Sequence, residues 1–523
     1  MNFNDTRFTR RTACKTLAFG ALACASGQLF EVSANAARPS GLPRISPEAA
    51  GIAPDAIAAF IDAVNNKVGG LHSFMLLRHG SVVAEAWWAP YSKQYPHMLY
   101  SLSKSFTSTA VGLAIAAGKI PLDAQVISFF SDKLPAEPSE NLKAMQVRHL
   151  LMMATGHDQD ATGPTTSAQD GDWVKAFLSL PLKHSPGTHF VYNSAATYML
   201  SAIVQSVTGQ TVLDYLKPLL FGPIGIEGPT WETCPRGINC GGWGLSIKTE
   251  DIARFGQLYL QKGKWAGRQI VPEAWVADAT TRKISNGDPA AASDWSQGYC
   301  YQFWRCRHGA FRGDGAFGQF CVVMPEQDAV LAITSGVNDM QAILNAAWDK
   351  LLPGISSDKP TGVTVGAVES LQHKIAGLEV YPPQGKRNTT VAKHVNGRTF
   401  HLEPNGLQFS SITLHFEDGG CAAHLKTDTG NYHLRGGAVS WIKGSGDRAK
   451  PTGALPGLVS NKAACRGAWV TDDSYKLMLC YYETPYIDTL TFKFTGTDQI
   501  TISVITNVGF GPTTHPDVVG YKV

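Results

Sequence analysis

A serine followed three residues later by a lysine can supply a nucleophile and its base, and this chain spells Ser-x-x-Lys three times: Ser101/Lys104, Ser356/Lys359 and Ser440/Lys443. A serine hydroxyl is a poor nucleophile at neutral pH and needs a neighbouring base. A lysine serves as that base only where burial or nearby positive charge lowers its pKa. The two groups must also meet. Residues i and i+3 share a face of a helix, whereas on a strand they point to opposite faces. The first copy lies in LYSLSKSFTSTAVGLAIAA, an apolar helix-like run. Ser101 sits just inside its start, where the helix dipole favours developing negative charge. The second copy falls in a Gly/Ser/Pro-rich linker and the third in a strand-like piece. Only Ser101 and Lys104 are placed to react together, although a capping serine before a surface lysine would read the same way locally.

Two further segments bear on the same chemistry. PGTHFVYNSAATYMLSAIV (Pro186–Val204) brings Tyr192, Asn193 and Ser194 to the entry of another apolar helix. A tyrosine there can relay a proton beside a lysine; as a purely structural residue it would be a core aromatic. RGDGAFGQFCVVMPEQDAVLAITS (Arg312–Ser335) opens Gly-rich and runs into a strand, allowing backbone to approach a substrate closely. Gly313 to Gly318 also spell G-x-G-x-x-G, but the dinucleotide fingerprint needs a helix afterwards and QFCVVMP is strand-like, so no nucleotide cofactor is expected. No G-x-S-x-G elbow is present, which argues against a Ser-His-Asp hydrolase. His157 reads as an ordinary structural histidine.

These residues need elements to hold them. Ile45–Asn66 has helical spacing, and His72–Trp88 reads as two strands about a His79-Gly80 turn. A helix-rich middle runs to about Thr280. Strand-like GYCYQFWRC, GQFCVVMP and DAVLAITSG follow, and DMQAILNAAWDKLL closes the unit as a helix. That order implies an α/β sandwich, an antiparallel sheet with helices, carrying an all-helical subdomain over residues 41–354. Residues 355–364 read as a linker. Residues 365–523 alternate like half-buried strands, predicting a separate C-terminal antiparallel β domain.

The remaining composition sets limits. A net charge of +3 over 523 residues gives no nucleic-acid groove or polybasic membrane patch. No apolar run reaches the ~18 residues of a spanning helix, so no stable membrane insertion is expected. Residues 1–36 combine Arg10-Arg11, a short apolar run and Ala34-Asn35-Ala36, the parts of a twin-arginine-like export signal; the mature protein would be periplasmic or secreted. Eight cysteines would remain, with Cys234/Cys240 and Cys300/Cys306 as local disulfide candidates beside the alternative of free thiols. With neither C-x-x-C nor H-E-x-x-H present, no metal is expected.

Taken in order, these segments, with HLLMMATGH (His149–His157) and GGWGLSIKTEDIARFGQLYLQKGKW (Gly241–Trp265), resemble the serine β-lactamase and penicillin-binding protein superfamily over about residues 45–353. The nearest likeness is to its class C-like branch of esterases, D-amino-acid-peptide hydrolases and 6-aminohexanoate-dimer hydrolases. The resemblance implies Ser101 as acylated nucleophile, Lys104 as motif lysine and Tyr192 as the second-motif tyrosine. It sets the third motif, Lys-Thr-Gly on a strand, onto Ala316-Phe317-Gly318. The backbone N–H groups of Ser101 and Gln319 then form the oxyanion hole, with Ser194, Ala316, Phe317 and Gly318 lining the pocket. Two departures stand out: Ser194 replaces the usual Asn, and Ala316 replaces the lysine that helps bind the substrate's carboxylate, a charge that Arg312 or Arg305 could restore. The implied activity is a serine hydrolase acting on a small ester or amide through an acyl-enzyme, without cofactor and with poor β-lactam turnover. The alternatives are a cell-wall D,D-peptidase or a non-catalytic penicillin-binding sensor.

Overall fold

Leu71–Arg78 (β1) alternates its side chains between two cores. Phe74 and Leu76 enter one and Met75 and Leu77 the other, so all eight residues are buried. In the computed structural model, which describes residues 41–356, 366–417, 419–428, 430–444 and 462–523, β1 pairs with Ser81–Trp87 (β2). His79 and Gly80, both at positive φ, make the turn between them. Trp304–Arg305 (β3), Phe311–Gly315 (β4), Gln319–Met324 (β5) and Ala329–Ser335 (β6) complete an antiparallel sheet of order β2-β1-β6-β5-β4-β3. The expected export signal, Lys359 and most of the expected linker lie outside the described residues.

Helices cover both faces of the sheet. Pro54–Lys67 (α1) starts on proline with Asp55 in its first turn, and buries Ile57, Phe60, Ile61 and Val64 at helical spacing. Phe60 meets Phe74 edge-on at 5.6 Å. On the other face, Phe106 of Ser103–Ala116 (α2) stacks at 3.9 Å on Phe255 of Thr249–Leu260 (α4). Ser194–Thr208 (α3) shares this core, in the helix-rich region between β2 and β3. Met340–Ala346 (α5) returns the chain beside α1. Among the described residues, no helix is long and apolar enough to cross a membrane.

GYCYQFWRC contributes only the short β3. Gln302 adopts a left-handed φ of 65°, and its buried amide donates to Leu150 O and Leu151 O, which bends the backbone out of the sheet. The G-x-G-x-x-G stretch is strand–turn–strand, confirming that no helix follows it. Cys234, Cys240, Cys300 and Cys306 are buried free thiols, so neither local pair forms a bridge here.

The C-terminal strands form a β-barrel. Thr399–Leu402 (β7), Phe409–Glu417 (β8), Gly420–Thr427 (β9), Gly430–Gly437 (β10), Ala463–Trp469 (β11), Ser474–Cys480 (β12), Ile487–Thr495 (β13), Gln499–Thr506 (β14) and Val518–Lys522 (β15) pair in the order β10-β9-β8-β7-β15-β14-β13-β12-β11. A parallel contact of Gly436-Gly437 with Cys465-Arg466 closes the ring. Closure removes the exposed edges that a flat sheet would leave. Alternate residues, among them Leu477, Phe492, Phe494, Ile500 and Ile502, fill the interior.

Candidate active site

Ser101 lies in the tight turn Tyr100–Leu102 that feeds directly into α2, one turn ahead of Lys104. The i, i+3 spacing brings Lys104 Nζ to 2.9 Å from Ser101 Oγ. The ammonium is only 2% exposed. It also donates to Ser194 Oγ at 2.9 Å and to Gly242 O at 2.7 Å. Three donors thus meet three acceptors. A neutral amine keeps the contacts to Ser194 and Gly242 and turns its lone pair to the Ser101 hydroxyl.

Local sequence explains how these partners arrive. Asn193 caps α3, its Oδ1 accepting from Ala195 N at 3.1 Å and Ala196 N at 3.3 Å. That cap fixes Tyr192 and Ser194 on either side of it. Gly241 and Gly242 lie so close to α3 that a Cβ would sit 2.9 Å from Thr197 O and 2.7 Å from Ser194 O, respectively. The Gly-Gly pair is what lets the Gly242 carbonyl reach Lys104, while Gly241 O accepts from Thr107 at 2.9 Å. HLLMMATGH docks under the same segment, with Val191 N donating to Met153 O at 2.9 Å.

The Tyr192 ring passes over Lys104, whose Nζ is 4.9 Å from its centroid. The ring stacks on Trp304 at 5.3 Å. Ser101, Lys104, Tyr192 and Ser194 are therefore brought together. Burial lowers the Lys104 pKa to about 7, against the opposing attraction of Asp160 and Asp314. Burial raises the Tyr192 pKa, with nearby Asp314 adding to it, and a hydrogen bond with Ser101 opposes only part of that. The phenol stays protonated wherever the amine loses its proton. His157 is buried, bonded through Nδ1 to Thr155 at 2.8 Å and packed on Phe177.

The third motif needs correction. Ala316, Phe317 and Gly318 do not lie on a strand; they are the turn between β4 and β5, closed by Gly318 N donating to Gly315 O at 3.2 Å. Gln319 opens β5 fully buried, with its amide donating to Ala316 O at 3.0 Å and Ser335 O at 2.7 Å. It ties the turn to β6. The backbone beside the Ser101 amide is that of Gly315, where a Cβ would sit 3.1 Å from Ser101 N and 1.9 Å from Leu99 O. Of the three motif residues only Ala316 is half-buried. Phe317 joins the barrel's core, and a Cβ on Gly318 would meet Ser335 Oγ at 2.2 Å, so neither lines an open pocket. Gly315→Ala, whose Cβ would push the turn away from Leu99 and the Ser101 amide, should lower kcat about 100-fold, the scale of one misplaced oxyanion donor, together with the melting temperature; ester assays and thermal unfolding of the purified variant check it.

Neither Arg312 nor Arg305 is free to replace the missing lysine. Arg312 is buried, donating to Asp314 Oδ2 at 2.9 Å and to Asp294 O at 2.8 Å. Arg305 donates to Gly309 O at 3.0 Å and to Thr280 O at 3.4 Å. Sequence alone could not show that both guanidinium groups are already engaged.

The chain is 27% identical over 306 residues to a 6-aminohexanoate-dimer hydrolase of Paenarthrobacter ureafaciens, covering 55% of this chain and 77% of the relative. It is 24% identical over 278 residues to penicillin-binding protein 4 of Amycolatopsis lactamdurans, covering 45% and 70%. A solved family VIII carboxylesterase superposes with a TM-score of 0.47 at 17% identity, over 59% of this chain and 99% of that one. The family model described as Beta-lactamase matches residues 59–350, more than half of the sequence and every residue of the cluster around Ser101. The chain belongs to the Beta-lactamase family, within the serine β-lactamase and penicillin-binding protein superfamily.

Proposed function

We propose that the protein is a serine hydrolase that cleaves an ester or amide through an acyl-enzyme, and that its substrates lack the carboxylate of a β-lactam. The observation that carries this reading is the buried Lys104 amine, shared between Ser101 and Ser194 with its pKa lowered to about 7. Neutral Lys104 takes the Ser101 proton as Oγ bonds to the substrate carbonyl carbon. The oxyanion is held by the N–H groups of Ser101 and Ala316. The leaving group departs with a proton from the Tyr192 phenol, which Lys104 replaces. Water then attacks the acyl-enzyme, gives its proton back through the same pair, and Ser101 leaves with a proton. The 6-aminohexanoate-dimer hydrolase named above supports amide chemistry.

Carboxylate recognition finds no lysine anywhere in the Gly313–Gly318 stretch, and Arg312 and Arg305 are bound elsewhere. The test is a panel of p-nitrophenyl esters, simple amides, penicillins and cephalosporins on the mature protein. Esters or amides should be turned over at least about 100-fold more efficiently than β-lactams, the scale of one lost charge-assisted contact of about 3 kcal/mol. Efficient penicillin turnover would sink the substrate assignment, and release of D-alanine from a muropeptide would point instead to a peptidase.

A further inference from the structure

We propose that the C-terminal barrel is part of the active site: Tyr486 positions the nucleophile and the Gly315–Gly318 turn, and Phe510 walls a subsite for an apolar acyl chain. This rests on the serine-hydrolase reading above. Two residues next to the reacting groups carry left-handed backbone, Tyr100 at φ 48° and Phe317 at φ 66°. Bulky residues hold that conformation only where surrounding contacts enforce it. Tyr100 directly precedes Ser101, and Phe317 follows Ala316.

The enforcing contacts come from the barrel. The Tyr486 hydroxyl hydrogen-bonds the Tyr100 hydroxyl, both residues being buried. The Tyr486 ring meets Phe317 at 6.0 Å, and Tyr100 meets Phe317 edge-on at 5.5 Å. Backbone contacts fix the same loops. Met98 N donates to Glu483 O at 2.9 Å, Tyr91 to Thr484 O at 3.0 Å, and Asn507 Nδ2 to Gly336 O at 3.0 Å. Val337, the next residue, donates to Phe317 O at 3.1 Å. A continuous chain of contacts therefore runs from the barrel to the residue before Ser101 and to the Gly315–Gly318 turn.

Phe510 lies over this cluster, 4.9 Å from the Phe317 ring and 5.5 Å from Tyr100, yet it is 55% exposed. Ala316, packed against the same cluster of Tyr100 and Phe317, is half-buried and uncharged. The surface formed by Phe510 and this turn is thus apolar, and an acyl chain laid over Ala316 would remove the exposed ring face from water.

The experiment uses the full chain with p-nitrophenyl acetate, butyrate and octanoate. In Phe510→Ala the octanoate-to-acetate ratio of kcat/KM should fall about tenfold, the effect of roughly two methylenes left in water. A ratio within twofold of wild type overturns the subsite. Tyr486→Phe, which removes one hydroxyl, should lower kcat about fivefold with KM little changed, and adding Tyr100→Phe should cost nothing more. A lowered melting temperature with wild-type kcat, or additive losses in the double variant, overturns the positioning role. Failure of the hydrolase reading shows differently, as absence of ester turnover in the wild type.

Discussion

Ser101→Ala should eliminate labelling by a fluorophosphonate and lower kcat at least about 10⁴-fold, because removing a nucleophile costs on the order of 10⁶-fold where this has been measured in a serine hydrolase. The reason is geometric. Among the described residues near the buried amine, Ser101 and Ser194 both contact Nζ at 2.9 Å, but only Ser101 lies beside the Gly315 turn that can receive an oxyanion. Intact-mass measurement followed by peptide mapping decides the matter. A probe found on Ser194 or any other serine would remove Ser101 from its assigned role. Ser194→Ala should keep the label, since its hydroxyl accepts a hydrogen bond from Lys104 and is not the attacking group.

The second large effect concerns proton traffic. Lys104→Met should lower kcat about 10³-fold, the middle of the range for a general base. In the wild type, kcat/KM should rise tenfold per pH unit to a break near 7 and then level off, because the reactive form of Lys104 is the neutral amine. Tyr192 adds no second break in this range, its pKa being raised by burial. Stability carries the same signature. The Lys104 pKa is lowered from 10.5 unfolded to about 7 folded, so the unfolded chain binds more protons between those values. This group's contribution to stability therefore rises from pH 7 to about 10.5 and is lost again as pH falls to 7. Urea midpoints of wild type and Lys104→Met should diverge by less as pH is raised from 7 to 10. A kcat/KM break near pH 10 would refute the lowered pKa.

Much of this was legible in the chain. The i, i+3 rule selected Ser101/Lys104 from three identical spellings, and Tyr192 was readable from its place ahead of an apolar helix. Period-two alternation announced β8, β9 and β12 to β14. What escaped depends on where backbone reverses. Nothing local marks Phe317, an aromatic, for a left-handed turn, so the Lys-Thr-Gly alignment put a strand where the hairpin bends. Barrel closure escaped because it rests on a non-local parallel contact between Gly436-Gly437 and Cys465-Arg466. The Tyr100–Tyr486 bond joins residues 386 apart, beyond any periodicity. Gly242 was recognised only as part of a Gly-Gly-x-Gly segment; its carbonyl's reach to Lys104 needed coordinates.

The Asn507 amide also bridges Gly336 O to Pro485 O, while Pro485 O lies where any side chain on Gly336 would have to go. A seam this tight has a consequence for how the two parts can be recombined. The hydrolase half and the barrel are not freely exchangeable modules, because a substitution at Gly336 or Asn507 is felt on both sides of the join. Chimaeras that graft a foreign barrel onto this catalytic half would have to carry the loops around Pro485 and Asn507 with it.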